Sequence, residues 1–187
     1  MNLTRCFIAL ELPLPVQKHL AQIISRLKEA QADVKWVELK NTHLTLKFLG
    51  EITPEQVQSS RNVLLHQNGK FVSIHCRTGQ IGVFLSRNRP QVIWLGLKNG
   101  TSEISALQKA LEDSLAECGF ARDPKKFKPH LTLGRVRSLA GRERLEEKIK
   151  TSAGDEFEFS FSQLALIKST LTPNGPIYQP LETIKLS

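Results

Sequence analysis

The stretch His43-Leu44-Thr45-Leu46 recurs without change as His130-Leu131-Thr132-Leu133, 87 residues further along the chain. Four residues can coincide by chance, so the same offset has to hold elsewhere. It carries Cys6-Phe7-Ile8-Ala9-Leu10 onto Ile93-Trp94-Leu95-Gly96-Leu97, two apolar runs in the same large-to-small order. Between these anchors each half has a helical pattern. Val16, Leu20, Ile23, Ile24 and Leu27 mark the first, and Ile104, Leu107, Leu111 and Leu115 the second. The order strand, helix, strand therefore occurs twice.

Local signals refine the pattern. Pro15 suits the first turn of the first helix, Thr101 or Ser102 is expected to cap the second, and Cys118-Gly119 is expected to stop it. Thr53-Pro54-Glu55-Gln56 reads as a capping box that opens a helix through about Leu65, with a counterpart around Arg142–Lys150. Strands are expected at Asn41–Leu49, Phe71–Cys76, Ile81–Ser86, Pro129–Val136, Phe157–Phe161, Leu164–Ser169 and Ile177–Leu186. Pro173-Asn174-Gly175-Pro176 marks a turn between the last two. The expectation is an α+β fold of two pseudo-symmetric lobes, each an antiparallel sheet with helices packed on its outer side, enclosing a central groove. No linker rich in glycine or serine divides the halves, so residues 1–187 read as a single bilobal domain with an internal duplication.

Whole-chain properties narrow the class. Lys and Arg exceed Asp and Glu, giving a formal net charge of +8, which favours polyanionic partners such as nucleic acid. Three widely spaced cysteines, Cys6, Cys76 and Cys118, suggest neither a disulfide framework nor a zinc pattern, so a reducing cytoplasm is expected. The apolar run Cys6–Leu10 is too short for a signal-peptide core or a membrane span, so a mature, soluble chain with no membrane association is expected. No obligate protein partner is evident, and a monomer is expected.

In an extended strand the side chains alternate between faces, so His and Thr of each motif share one face. Leu44, Leu46 and Phe48 in the first copy, with Leu131 and Leu133 in the second, are expected to point into the core. Two imidazoles and two hydroxyls then suit phosphodiester cleavage without metal. One histidine takes a proton from water and the other protonates the departing oxygen, while the hydroxyls of Thr45 and Thr132 donate to the phosphorus oxygens. If the repeat reflected only core architecture, the leucines would persist and the polar residues diverge. Here His and Thr persist, while Lys47 becomes Gly134 and Phe48 becomes Arg135. Zinc is the rival use of paired histidines, but neither segment brings Cys, Asp or Glu at ligand spacing, so no metal is expected. His75 reads as structural, and His19 and His66 as surface residues on helices. Which of His43 and His130 is the acid, the repeat leaves open.

These residues resemble the duplicated His-x-Thr-x pattern of the 2H phosphoesterase superfamily. The likeness is closest to the RNA 2′,3′-cyclic phosphodiesterases of bacteria and archaea, also called 2′-5′ RNA ligases. It runs through Arg5–Leu10, Trp36-Val37, His43–Glu51, Val92–Gly96, Pro129–Val136 and Gly175-Pro176-Ile177-Tyr178. The resemblance implies hydrolysis of a 2′,3′-cyclic phosphate to a 2′-phosphomonoester without cofactor, on RNA ends or small cyclic nucleotides. It implies His43 as proton donor to the 3′ oxygen, His130 as proton acceptor from water, and Thr45 and Thr132 as phosphate ligands. Arg135 resembles an arginine that commonly follows the second motif and would add charge. Strict alternation puts it on the opposite face from His130, so it reaches the phosphate only where a bulge or the strand's end turns it. Tyr178 and Phe7 match positions near the groove that would stack on a base, although an apolar residue in an apolar strand favours core packing for Phe7. Joining of RNA ends through a 2′-5′ linkage, non-catalytic RNA-end binding and a metal-dependent phosphodiesterase are the competing readings. Arg122, Lys125, Lys126 and Lys128 would guide an RNA strand to the groove, or simply form a solvated loop.

Overall fold

The computed structural model describes residues 2–86, 89–152, 156–173 and 175–187. Its elements in chain order are β1 (Thr4–Glu11), α1 (Leu14–Lys28), β2 (Val34–Trp36), a 3-10 turn at Leu39–Asn41, β3 (His43–Ile52), α2 (Pro54–His66), β4 (Ile74–Ser86) and β5 (Arg89–Asn99). There follow α3 (Thr101–Glu117), β6 (Leu131–Val136), α4 (Arg142–Thr151), β7 (Glu158–Phe161), β8 (Gln163–Thr172) and β9 (Gly175–Lys185). The strands form two antiparallel sheets, ordered β3-β1-β8-β9 and β2-β6-β5-β4-β7. This is the expected α+β architecture. Among the described residues no helix is long and apolar enough to cross a membrane.

The offset of 87 takes β1, α1, β3, α2 and β4 onto β5, α3, β6, α4 and β8. The sheets, however, are not the two halves of the chain. β8 joins β1 and β3, while β4 joins β5 and β6, so each half lends its last repeated strand to the other sheet. The two antiparallel sheets are the expected pair, and each draws strands from both halves of the chain.

Local chemistry explains most of the helices. The α2 capping box is present: Gln56 N–H donates to Thr53 Oγ1 at 3.3 Å and Thr53 N–H to Gln56 Oε1 at 3.0 Å. The start of α3 departs from expectation, because its N-cap is Gly100 rather than Thr101 or Ser102. Gly100 has φ +76, and a Cβ there would lie 2.5 Å from Cys76 Sγ and 2.7 Å from the His75 carbonyl oxygen. Backbone sign and close packing both require glycine. The two strands expected at Phe71–Cys76 and Ile81–Ser86 are one, β4, which runs through register breaks at Thr78 instead of turning. β2 was not legible, being three residues long. In the expected turn after β8, Asn174 lies outside the described residues.

Val16, Leu20, Ile23, Ile24 and Leu27 of α1 and Ile104, Leu107, Leu111 and Leu115 of α3 are buried with Ile8, Leu10, Leu44, Ile93, Leu95 and Leu131 in one core that spans the helix-facing sides of both sheets. Each such side chain contributes about 1.5–3 kcal/mol relative to exposure. His19, expected at the surface, is 7% exposed and stacks on Phe157 at 5.1 Å. His66 and His75 are exposed. On the opposite side of the first sheet, Phe7, Ala9, Ala165 and Ile167 form a separate small cluster with Tyr178 against it.

Two bulges shape that opposite side. Ile8 and Ala9 pair with Lys47 and Thr45, leaving Leu46 as an extra residue in β3. Ile93 and Trp94 pair with Gly134 and Thr132, leaving Leu133 extra in β6. The extra residues stand 87 apart, and each resets the alternation beyond it. Phe48 is therefore 59% exposed instead of buried, correcting the expected core position, and Lys47 is turned inward at 7%.

Candidate active site

β3 opens at His43, and His130 stands immediately before β6, so each imidazole caps the end of its strand. Each ring is fixed in the same way. His43 Nδ1–H donates to the Asn41 carbonyl at 2.8 Å, and His130 Nδ1–H donates to the Lys128 carbonyl at 2.7 Å. A carbonyl only accepts, so Nδ1 holds the proton and Nε2 of the neutral ring is left as a base. Asn41 also donates from Nδ2 to the Pro176 carbonyl at 3.0 Å, tying the His43 turn to the strand that carries Tyr178.

Aromatic rings hold the imidazoles in place. Phe7 stacks under His43 with centroids 4.6 Å apart and a 28° interplanar angle, and Tyr178 meets the same imidazole edge-on at 5.3 Å and 75°. Phe84 meets His130 edge-on at 4.9 Å and 89°, and in turn stacks on Trp94 at 5.2 Å. Trp94 lies across Gly82, where a Cβ would fall 2.2 Å from the indole. Phe7 is 2% exposed and covered by His43, so it forms the floor of the site rather than a free platform for a base. Phe48, beside Phe7 at 5.9 Å, is the exposed ring there.

Burial lowers the pKa of both histidines. His43 falls to about 4, its bond to Asn41 opposing the effect. His130 is lowered by burial first, against its bond to Lys128, and then by the positive charge of Arg135. The condition for Arg135 to reach the site is met by the Leu133 bulge, which returns it to the face of Thr132. Its charge is felt by His130 and also by Tyr178, which touches His43. β3 and β6 also approach one another directly, which brings the strands that carry the two motifs together.

Thr45 and Thr132 are half-buried on the groove face, opposite Ala9 and Trp94 in register. Among the described residues neither hydroxyl is engaged by another protein group, and Arg135 forms no ion pair. Two imidazoles, two free hydroxyls and one guanidinium can grip and protonate a phosphoryl group. Of the basic loop, Arg122 is paired with Asp113 at 2.6 Å, while Lys125, Lys126 and Lys128 are exposed or partly so. No group of three or more His, Cys, Asp and Glu able to hold a metal occurs among the described residues.

Sequence reasoning missed Phe84, Trp94, Phe48 and Arg5 as groove residues. Arg5 shares the face of Phe7 by alternation, and its charge reaches Tyr178. Phe84 comes from the exchanged strand β4, and no local pattern links it to His130.

The description "2'-5' RNA ligase superfamily" belongs to a family model that matches residues 12–172. The RNA 2',3'-cyclic phosphodiesterase of Methanothermobacter thermautotrophicus is 34% identical over 183 residues, covering 97% of this chain and 98% of its own. That of Methanocaldococcus jannaschii is 32% identical over 179 residues, covering 95% and 98%. Among solved structures, a Thermus thermophilus protein superposes with a TM-score of 0.81 at 25% identity, covering 97% of both chains. Escherichia coli LigT complexed with 3'-AMP gives a TM-score of 0.81 at 22% identity over 100% of this chain and 99% of its own, a likeness of fold. Sequence, fold and the paired motifs agree, and the chain belongs to the 2'-5' RNA ligase superfamily.

Proposed function

We propose that this protein hydrolyses the 2′,3′-cyclic phosphate at RNA ends to a 2′-phosphomonoester, using His43 and His130 without a metal. The observation that carries the reading is the matched pair of imidazoles, each held through Nδ1 by the carbonyl two residues before it, which leaves Nε2 as the nitrogen that can exchange a proton. The relatives that match nearly end to end are named for this activity.

In the proposed step, water attacks phosphorus as the bond to the 3′ oxygen breaks. His130 Nε2 takes the proton of water, and protonated His43 gives its Nε2 proton to the 3′ oxygen. Thr45, Thr132 and Arg135 hold the phosphoryl oxygens as charge gathers on them. The electrostatics of the two rings bear on their protonation before substrate binds. Burial first, and then Arg135 beside it, keep the His130 ring neutral and so able to accept a proton. His43 is lowered by burial against its bond to Asn41, and at a pKa of about 4 roughly one molecule in a thousand is protonated at pH 7. The anionic substrate raises that fraction on binding, so the acid is charged mainly when there is something to protonate.

The same residues would serve 2′-5′ joining, the reaction in the family's description. With water in large excess, hydrolysis is the proposed net direction. We further read the chain as one bilobal domain with an internal duplication. Its free cysteines, two of them buried, suit a reducing compartment such as the cytoplasm.

The test is turnover of an RNA ending in a 2′,3′-cyclic phosphate in excess EDTA, with wild type, His43→Ala and His130→Ala. Formation of a 2′-phosphate by wild type and its loss in both variants is expected. An inert wild type that recovers with added metal would refute the metal-free mechanism.

A further inference from the structure

Lys47 belongs to the same strand as His43 and Thr45, yet it faces away from the groove. The Leu46 bulge turns it under the sheet, where it is 7% exposed and its Nζ donates to Glu112 Oε1 at 2.7 Å and to the Ala121 carbonyl at 2.8 Å. Glu112, on α3, is 9% exposed. Its Oε1 also accepts from the Asp123 N–H at 2.6 Å, and its Oε2 from Gln108 at 3.1 Å.

We propose that Lys47 and Glu112 are positioning residues that set the segment 118–130 and, through it, the place of His130. The inference rests on His130 being catalytic, as proposed above. After Phe120, whose N–H donates to the Leu115 carbonyl, no residue from 121 to 130 enters a backbone–backbone hydrogen bond among the described residues. The segment contains no helix or strand. Among the described residues, the polar attachments of 121–127 to the body of the protein are the two bonds made at Ala121 and Asp123 and the exposed Arg122–Asp113 pair. At its far end, Lys128 supplies the carbonyl that fixes the His130 ring. A strand of the first motif thus anchors the loop that delivers the second.

Stability alone is a poor reason for this arrangement. A buried ion pair gives back much of its Coulomb energy as desolvation, and well-packed apolar replacements are often neutral or stabilising. What apolar side chains cannot supply is a donor to the Ala121 carbonyl and an acceptor for the Asp123 N–H. The pair fixes backbone that has no ladder of its own. At the equivalent point of the repeat stands Gly134, which has no side chain with which to do this.

The decisive variant is Lys47→Met/Glu112→Leu, which removes both charges together and leaves none buried alone. Its melting temperature is expected to stay within a few degrees of wild type. On the cyclic-phosphate RNA, kcat should fall about tenfold or more while KM changes less than about threefold, because the phosphate ligands are untouched. Amide hydrogen exchange at 121–130 should speed up, with β3 and α3 unchanged. If the double variant does not fold, Glu112→Gln replaces it, with a smaller loss of kcat and the same local exchange expected. A folded variant with wild-type kcat, or with wild-type exchange at 121–130, overturns the proposal. If wild type itself turns over no cyclic phosphate, the functional reading fails, and exchange at 121–130 still decides whether the pair sets this loop.

Discussion

Lys47 and Gly134 occupy the same point of the repeat, each turned beneath its sheet by the bulged leucine before it. One reaches a carboxylate; the other makes room for β2. A Cβ on Gly134 would lie 2.7 Å from Val34 Cγ1 and 3.0 Å from Trp36 Cε3, with no flexible side-chain end to yield. Gly134→Ala is therefore expected to destabilise the protein by about 1–3 kcal/mol, as overpacking does. Urea unfolding measures it, and an unchanged midpoint would mean that β2 shifts freely.

Arg135 should be visible in the titration of its neighbour. Its positive charge is one cause of the lowered pKa of His130, so Arg135→Ala should move that pKa upward, as read from imidazole NMR shifts. If Arg135 holds the phosphoryl group as proposed, turnover should also fall about tenfold or more. A His130 titration that stays in place would show that the side chain lies elsewhere in solution.

Acid should weaken the fold through His43. The native ring titrates at about 4, against 6.5 for an unperturbed one, so the unfolded chain binds the proton first. The stabilisation is complete above about 6.5 and is lost as pH falls from there toward 4. His43→Gln should flatten that part of the stability profile. Equal slopes in the variant and wild type would place the dependence on other groups.

Phe84 confines His130 from a strand that belongs, by sequence, to the first half. Phe84→Leu preserves apolar bulk but removes the ring edge, and is expected to lower kcat severalfold with KM nearly unchanged. Steady-state kinetics separate the two, and a change confined to KM would make Phe84 a substrate contact instead.

The elements that were legible in the chain are those with local chemistry. The Thr53 capping box, the apolar faces of α1 and α3, and the duplicated motif announce themselves over spans of four to fifteen residues. Strict alternation through Leu46 puts Phe48 in the core, and nothing at Leu46 marks a bulge; the pairing with β1 creates it. His19 looked like a surface residue because its neighbour, Phe157, is distant in sequence. Phe84 and the Lys47–Glu112 pair escaped for the same reason, each depending on a strand or helix brought in from elsewhere.

The exchange of β4 and β8 has a mechanical meaning. Following the described elements, the chain passes between the sheets four times: before β2, before β3, before β4 and before β8. Two bodies joined by one strap can swing like jaws, whereas two bodies laced together four times are expected to move as a single frame. On that footing the spacing of the two sheets is set by the topology, and adjustment to a bound molecule is expected from side chains and the segment before His130 rather than from closure of one lobe upon the other.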